Sequence, residues 1–175
     1  MRPLPARPRL LATVLILTAY PVLQAVPSTA AWSPNGNPVC TAAGAQTSPT
    51  SVTDGAGGMI VTWLDARPDA PGVYAQRLLG DGTIAPGWPA DGVLCSGLST
   101  GGTPFPVPDA AGGVLVLWYS AGVISGQRVD GNGALHAGWP ADAKVIAPNE
   151  QTMDHGFAAV SDGASGRRAG PLAVS

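Results

Sequence analysis

The side chains in this sequence that could do chemistry are few, and the acidic ones recur at fixed places. Asp54, Asp109 and Asp162 each begin a glycine-rich stretch. Carboxylates in repeated Asp/Gly loops can bind calcium, but such sites use a dense run of alternating acidic ligands, and this sequence has none. An aspartate at the start of a turn more simply accepts backbone N–H groups and caps the turn. We therefore predict turn-capping aspartates and no metal site.

Catalysis would require a convergent set of reactive side chains, and the sequence does not offer one. The two histidines, His136 and His155, have neither a zinc-type spacing nor a neighbouring Gly-x-Ser-x-Gly turn. Among the 11 acidic residues, nothing singles out a pair suited to glycoside hydrolysis. We predict that the protein is not an enzyme and has no catalytic residue and no cofactor. No motif in the sequence singles out ligand-binding residues.

A polar pair also recurs: Gln76-Arg77 in one repeat corresponds to Gln127-Arg128 in the next. We expect the polar atoms of these side chains to bond a neighbouring loop or repeat. A shared ligand site is the alternative.

The two cysteines, Cys40 and Cys95, occupy the same position of neighbouring repeats, where the next repeat has Ile146. A position that accepts Cys or Ile is most simply an apolar core site. Two cysteines often form a disulfide when a chain is exported, but equivalent positions of adjacent sheets need not meet its geometry. Unbonded thiols are our prediction, and a Cys40–Cys95 disulfide is the alternative.

The tryptophans fall at two repeat positions. Trp63 and Trp118 end an apolar segment, whereas Trp32, Trp88 and Trp139 precede a proline or Ser-Pro. Exposed aromatic side chains can stack on sugars, but recurrence at fixed repeat positions favours packing between repeats.

These residues recur because the chain is built from internal repeats. The segment Gly-Trp-Pro-Ala-Asp occurs at 87–91 and again, 51 positions later, at 138–142. Trp63 and Trp118 are 55 positions apart, and the four-residue difference falls in one loop. Self-similarity at such a period is typical of repeat architectures and propellers.

Each repeat contains four short strand-like segments. Residues 59–64 and 114–119 are nearly continuous apolar runs, as in strands that are buried on both faces. Glycine-rich, Asp-Gly and Asn-Gly segments between the strands predict tight hairpins. Four antiparallel strands in about 51–55 residues match one blade of a β-propeller. The predicted fold class is all-β, with propeller-type blades that are incomplete: about two full blades plus partial ones.

The predicted organisation follows from this alignment. It comprises a signal peptide at 1–30, the tail of a first blade at 31–47, complete blades at 48–97 and 98–149, and the start of a further, truncated blade at 150–175.

The pattern D-G-x-G-G-x-x-V-x-W, followed by a Y-A-Q-R-like strand and W-x-x-x-G, resembles the tandem β-propeller-like repeats of secreted bacterial proteins. The resemblance covers residues 32 to about 166. In that family the strand after the turn often ends in an acidic and a basic residue, kept here as Asp65 and Arg67 but lost after Trp118. The family is largely uncharacterised, so the resemblance implies a fold and an exported setting but no activity.

The N-terminus has the features of a secretory signal peptide. Arg2, Arg7 and Arg9 precede a ten-residue apolar run at 10–19, and the small residues at 28–30 offer a cleavage site. Ten apolar residues are too few to span a bilayer. We therefore expect a secreted or cell-surface protein with no membrane association after cleavage.

Charge and composition narrow the class of partner. Without residues 1–30 the chain carries about five more acidic than basic residues, so nucleic acid is not an expected partner. Our first hypothesis is a secreted, non-catalytic binding or scaffolding module whose ligand is a protein or a glycan. The alternatives are a truncated piece of an exported, glycan-directed propeller-fold hydrolase and a non-functional remnant. Unclosed blades also expose strand edges, which predicts self-association.

Overall fold

The structure is a computed structural model that describes residues 32–97, 102–147 and 159–161. The predicted signal peptide, His155 and Asp162 lie outside these residues, as does most of the predicted C-terminal blade. The described residues contain no helix that is long and apolar enough to cross a membrane.

The described chain is all-β, as predicted, and forms two antiparallel four-stranded sheets. In each sheet the strands neighbour one another in chain order. No closed sheet is present among the described residues. The first sheet consists of β1 (Gln46–Thr53), β2 (Met59–Asp65), β3 (Gly72–Leu78) and β4 (Val93–Ser96), and the second of β5 (Phe105–Pro108), β6 (Val114–Ser120), β7 (Val123–Val129) and β8 (Lys144–Ala147).

Glycine-rich turns at 54–58 and 109–113 set the register of the first hairpin in each sheet. The Asp54 N–H donates to the Gly58 carbonyl oxygen at 3.2 Å, and the equivalent bond from Asp109 to Gly113 is 3.1 Å. Gly57 has φ of 88°, a left-handed conformation that glycine adopts without strain. Gly55 of the first turn also has a positive φ. Its counterpart in the second turn is Ala110, which has φ of 59°.

The two sheets pack face to face. Ile60, Val73 and Ala75 of the first sheet join Val114 and Val116 of the second in one core cluster, and each of these side chains is fully buried. Because side chains alternate along a strand, the neighbours of these residues point away from the interface. Leu117, next to Val116, joins Ile124 and Ala159 in a second cluster on the outer face of the second sheet.

Equivalent residues of the two sheets therefore lie in different surroundings. Ile60 faces the interface, whereas its counterpart Leu115 packs with the outer cluster of the second sheet. Conversely, Val114 is buried at the interface, whereas its counterpart Met59 is 37% exposed. The sheets thus meet through non-equivalent faces, as units in a head-to-tail stack do.

Candidate functional site

The carboxylate of Asp54 joins the first glycine-rich turn to β3. Its Oδ1 accepts the N–H groups of Ala56 and Gly58, both at 2.8 Å. Its Oδ2 lies 2.8 Å from Arg77 Nη2 and 3.0 Å from Nε. Burial opposes ionisation of this carboxyl, but the bonds from the two N–H groups and from Arg77 outweigh it and lower the pKa of Asp54.

The second sheet repeats this arrangement with fewer bonds. Asp109 Oδ1 accepts the N–H groups of Ala111 and Gly113 at 2.9 and 2.8 Å, and Oδ2 lies 3.0 Å from Arg128 Nη2. The predicted role of these aspartates as turn caps is confirmed for both described turns. The sequence did not predict that the arginine of each Gln-Arg pair would bind the capping carboxylate.

The glutamine of each pair binds the Gly-Trp-Pro-Ala-Asp corner. Gln76 Nε2 donates to the Pro89 carbonyl oxygen at 2.6 Å, and Gln127 Nε2 donates to that of Pro140 at 2.8 Å. Both glutamines are fully buried. The expectation that these side chains bond a neighbouring loop is confirmed, and the function of the buried amide is to hold the corner against the third strand.

Packing between repeats is confirmed for Trp88 and Trp118, which lie in the core between the sheets, whereas Trp63 is buried against Tyr74 of its own sheet. Trp63, Trp88 and Trp118 are 3%, 6% and 2% exposed, respectively. Trp32 is 45% exposed, although its indole N–H donates to the Gly80 carbonyl oxygen at 3.2 Å. Trp139 is partly buried, with Lys144 Nζ 5.8 Å from the ring centroid.

A second polar cluster lies at the opposite end of the first sheet, around the guanidinium group of Arg67. Arg67 Nη2 lies 2.7 Å from Asp65 Oδ2 and 3.4 Å from Cys40 Sγ, and Arg67 Cζ lies 3.8 Å from the Tyr74 ring centroid. Trp63 Nε1 donates to the same carboxylate oxygen at 2.8 Å. Burial raises the pKa of Asp65, but hydrogen bonds from Arg67 and Trp63 outweigh this effect and lower it to about 2.

This second cluster is absent from the second sheet, where Ser120 and Gly122 stand in place of the acidic and basic residues. The sequence marked Asp65 and Arg67 as a retained family feature but did not place Cys40 beside them. Only the N-terminal segment's position against the first sheet brings that thiol within reach.

Both cysteines are free thiols in the structure, in agreement with the prediction. Cys95 is fully buried in the core between the sheets, and burial raises its pKa to about 12. Burial also raises the pKa of Cys40, although the Ala42 backbone and Arg67 partly oppose it. A thiol that stays protonated is a poor nucleophile, so neither cysteine has the character of a catalytic one.

His136, one of the two histidines, pairs with a nearby carboxylate. Its Nδ1 lies 2.6 Å from Asp130 Oδ1, and both side chains are about one-third exposed. Within the described ranges, no group of three or more His, Cys, Asp or Glu side chains lies close enough to hold a metal ion.

An open cleft of about 490 Å³ lies between the two glycine-rich turns. One wall is formed by Asp54, Gly55, Ala56 and Arg77, and the other by residues 110–112. Both charged groups of the cleft already bond to each other, and Arg77 Nη1 also lies 3.4 Å from the Gly131 carbonyl oxygen. The cleft therefore offers small side chains, backbone and a neutralised ion pair, which suits binding better than acid–base chemistry.

Comparison with protein-family models, with curated proteins and with solved structures found no match for this chain.

Proposed function

We propose that this protein is an exported, non-catalytic repeat module in which the sheets stack as propeller-type blades. The module binds a protein or a glycan ligand in the cleft between its glycine-rich turns. The basic residues and short apolar run at the N-terminus support export.

The observation that supports this proposal best is the structural use of the repeated Asp, Gln and Arg side chains at the turns and corners. Asp54 and Arg77 bind each other, and the carboxylate also caps a turn. Gln76 binds the corner carbonyl, and the second sheet repeats both arrangements. Acid–base catalysis needs a group that is free to exchange a proton with a substrate, whereas these groups stabilise turns and corners.

The stacking of the sheets supports the blade arrangement. Two units of the same sequence pattern pack through one continuous core, and contacts to Gly131 from Arg77 and Trp88 cross between them. Repeat proteins of this kind bind ligands across surfaces that neighbouring units form together. The cleft between the turns is such a surface, because each unit contributes one wall.

The test is a binding assay and a hydrolysis assay on the same protein. The exported chain is incubated with immobilised cellulose, chitin, starch and peptidoglycan and with a panel of immobilised extracellular proteins. In parallel, soluble forms of the polysaccharides are assayed for new reducing ends. We expect retention on at least one matrix and no new reducing ends.

A cleft variant and a matched control locate the binding site. Ala111 is an exposed cleft residue, so Ala111→Trp fills the cleft and is expected to abolish retention. Ala66 is exposed at the opposite end of the first sheet, so Ala66→Trp is expected to leave retention unchanged. Equal retention of both variants would place the ligand elsewhere, and release of reducing ends would favour the hydrolase alternative.

A further inference from the structure

Two side chains of the first repeat reach one carbonyl group of the second sheet. The Gly131 carbonyl oxygen accepts the Trp88 indole N–H at 3.1 Å and lies 3.4 Å from Arg77 Nη1. Both donors belong to the first sheet's repeat, and the acceptor belongs to the hairpin turn at 131–133 of the second. Arg77, Gly87 and Trp88 thus form a receptor for the turn of the next repeat.

Close packing at Gly87 shows how tightly this receptor holds the turn. A Cβ atom at Gly87 would lie 2.4 Å from the Asn132 carbonyl oxygen, so only glycine fits there. On the other side, a Cβ atom at Gly133 would lie 3.0 Å from Trp88 Cα. The turn and the corner are therefore in direct backbone contact.

The second repeat has the same receptor, formed by Arg128, Gly138 and Trp139, and no described residue fills it. Gly138 has φ of 88°, nearly that of Gly87 at 86°, yet a Cβ atom there would meet nothing within 4 Å. The Trp139 indole makes no hydrogen bond with the described residues. Arg77 reaches the neighbouring turn through Nη1, whereas the Arg128 guanidinium bonds only Asp109 among the described residues.

The matching turn is present at 80–82 of the first sheet. Gly80 is the counterpart of Gly131, and its carbonyl oxygen accepts the indole N–H of Trp32. A Cβ atom at Gly82 would lie 2.9 Å from the Trp32 ring. The N-terminal segment therefore occupies this turn in the way that Trp88 occupies the next one, but Trp32 is 45% exposed and Trp88 only 6%.

We propose that the Arg128–Gly138–Trp139 receptor binds the 80–82 turn of a second copy of this chain, with Trp139 replacing Trp32 of that copy. The inference rests on the stacking of repeats in the proposed function, and it extends that stacking from one chain to two. Charge is compatible with this occupant, because the turn carries Asp81 and Lys144 lies beside Trp139, whereas Arg128 is already paired with Asp109. The contact is head-to-tail, so each copy offers one receptor and one turn.

Sedimentation velocity of the exported chain over a concentration series tests the proposal with two matched variants. Trp139→Ala removes the receptor ring and is expected to abolish concentration-dependent association. Trp32→Ala removes the same ring from the competing segment and is expected to shift association to about tenfold lower concentration. That factor corresponds to one net hydrogen bond that no longer has to be displaced.

The two variants are expected to change association in opposite directions, and this difference distinguishes specific docking from a general loss of apolar surface. If removal of an aromatic ring simply reduced adhesion, both variants would associate less. A fall in association for both variants, or no association of the wild type at any concentration, would overturn the proposal. So would a lower melting temperature for Trp139→Ala with unchanged association, because the receptor would then be filled within its own chain.

Mixing two defective copies gives a second, independent measurement. Asp81→Arg places a positive charge and a longer side chain on the turn that would face Lys144, and it is expected to abolish self-association. A mixture of Trp139→Ala and Asp81→Arg copies retains one intact receptor and one intact turn, so it is expected to form a dimer and nothing larger. A mixture that stays monomeric, while the wild type associates, would contradict the head-to-tail arrangement.

The ligand-binding assay, repeated on the same variants, tests this inference separately from the proposed function. Trp139→Ala leaves the cleft between the glycine-rich turns intact and is expected to retain a matrix that Ala111→Trp loses. Loss of self-association with ligand retention unchanged supports both proposals. Unchanged self-association with ligand retention unchanged removes this inference alone.

Discussion

Asp54 and Arg77 form a buried ion pair that fixes the glycine-rich turn to the third strand of the first sheet. Arg77 Nη2 lies 2.8 Å from Asp54 Oδ2, and the Asp54 side chain is only 1% exposed. The same carboxylate caps the turn, so one side chain links two elements.

Asp54→Asn should therefore destabilise the fold strongly. The amide keeps part of the cap but leaves the Arg77 guanidinium buried without its counter-charge, which costs roughly 3 kcal/mol of unfolding free energy. Asp109→Asn should cost less, because Asp109 is 11% exposed and a single bond joins it to Arg128. Urea denaturation measures both, with exposed Asp69→Asn as the control. An effect of Asp54→Asn as small as that of Asp69→Asn would contradict the prediction.

Acid should destabilise the protein through the carboxyl groups whose pKa is lowered in the folded state. The pKa of Asp65 is about 2, below its ordinary 3.8, so the folded state binds its proton less readily than the unfolded state does. This difference stabilises the fold by about 2 kcal/mol above pH 5, and the stabilisation is lost as the pH falls from about 4 towards 2. The pKa of Asp54 is also lowered, so Asp54 likewise contributes stability that is lost in acid.

The matched variant for this pH dependence is Asp65→Asn. Its unfolding free energy should be lower than that of the wild type at pH 7 and should fall less steeply between pH 5 and pH 2. Thermal or urea melts across that range give both curves. Parallel curves for the two proteins would show that Asp65 does not contribute to the acid sensitivity.

The buried glutamine amides should be needed for the corners. Gln76→Met keeps the length of the side chain but leaves the Pro89 carbonyl oxygen and the Arg77 N–H without their amide partner. We expect a loss of about 2 kcal/mol of unfolding free energy. Gln127→Met should behave similarly, since Gln127 makes the equivalent bonds to Pro140 and Arg128.

Gln46→Met provides the control for the glutamine variants. Gln46 is exposed and its amide donates to the Ala42 carbonyl oxygen at 3.2 Å on the surface, so its loss should change stability by less than about 0.5 kcal/mol. Equal effects at positions 46 and 76 would mean that the buried amide does not hold the corner.

The two thiols should react at different rates. Cys40 is partly exposed and Cys95 is fully buried with a pKa of about 12, so a thiol reagent at pH 8 should modify Cys40 first. In denaturant both should react at the same rate. Mass spectrometry of the alkylated, non-reduced protein counts the modified thiols at each time, and a mass showing a Cys40–Cys95 disulfide would contradict the structure.

Much of the fold could be predicted from local sequence features. The apolar runs that became β2 and β6, and the glycine-rich turns beside Asp54 and Asp109, gave the strands and hairpins because turn chemistry and side-chain alternation depend on neighbouring residues. The amide bond from Gln76 to the corner was anticipated as a bond to a nearby loop. The candidate cleft was not predicted, because its two walls come from turns that are 55 residues apart.

The sequence by itself determined the period of the repeat, the all-β class and the capping aspartates, since each depends on contacts within one repeat. Only the tertiary structure decided that Arg77 and Trp88 meet at the Gly131 carbonyl oxygen and that Arg67 meets Cys40. Equivalent residues have the same sequence pattern but different environments, because the sheets pack through non-equivalent faces. The direction and order of that packing place Arg77 beside the Gly131 carbonyl oxygen, whereas the Arg128 guanidinium bonds only Asp109 among the described residues.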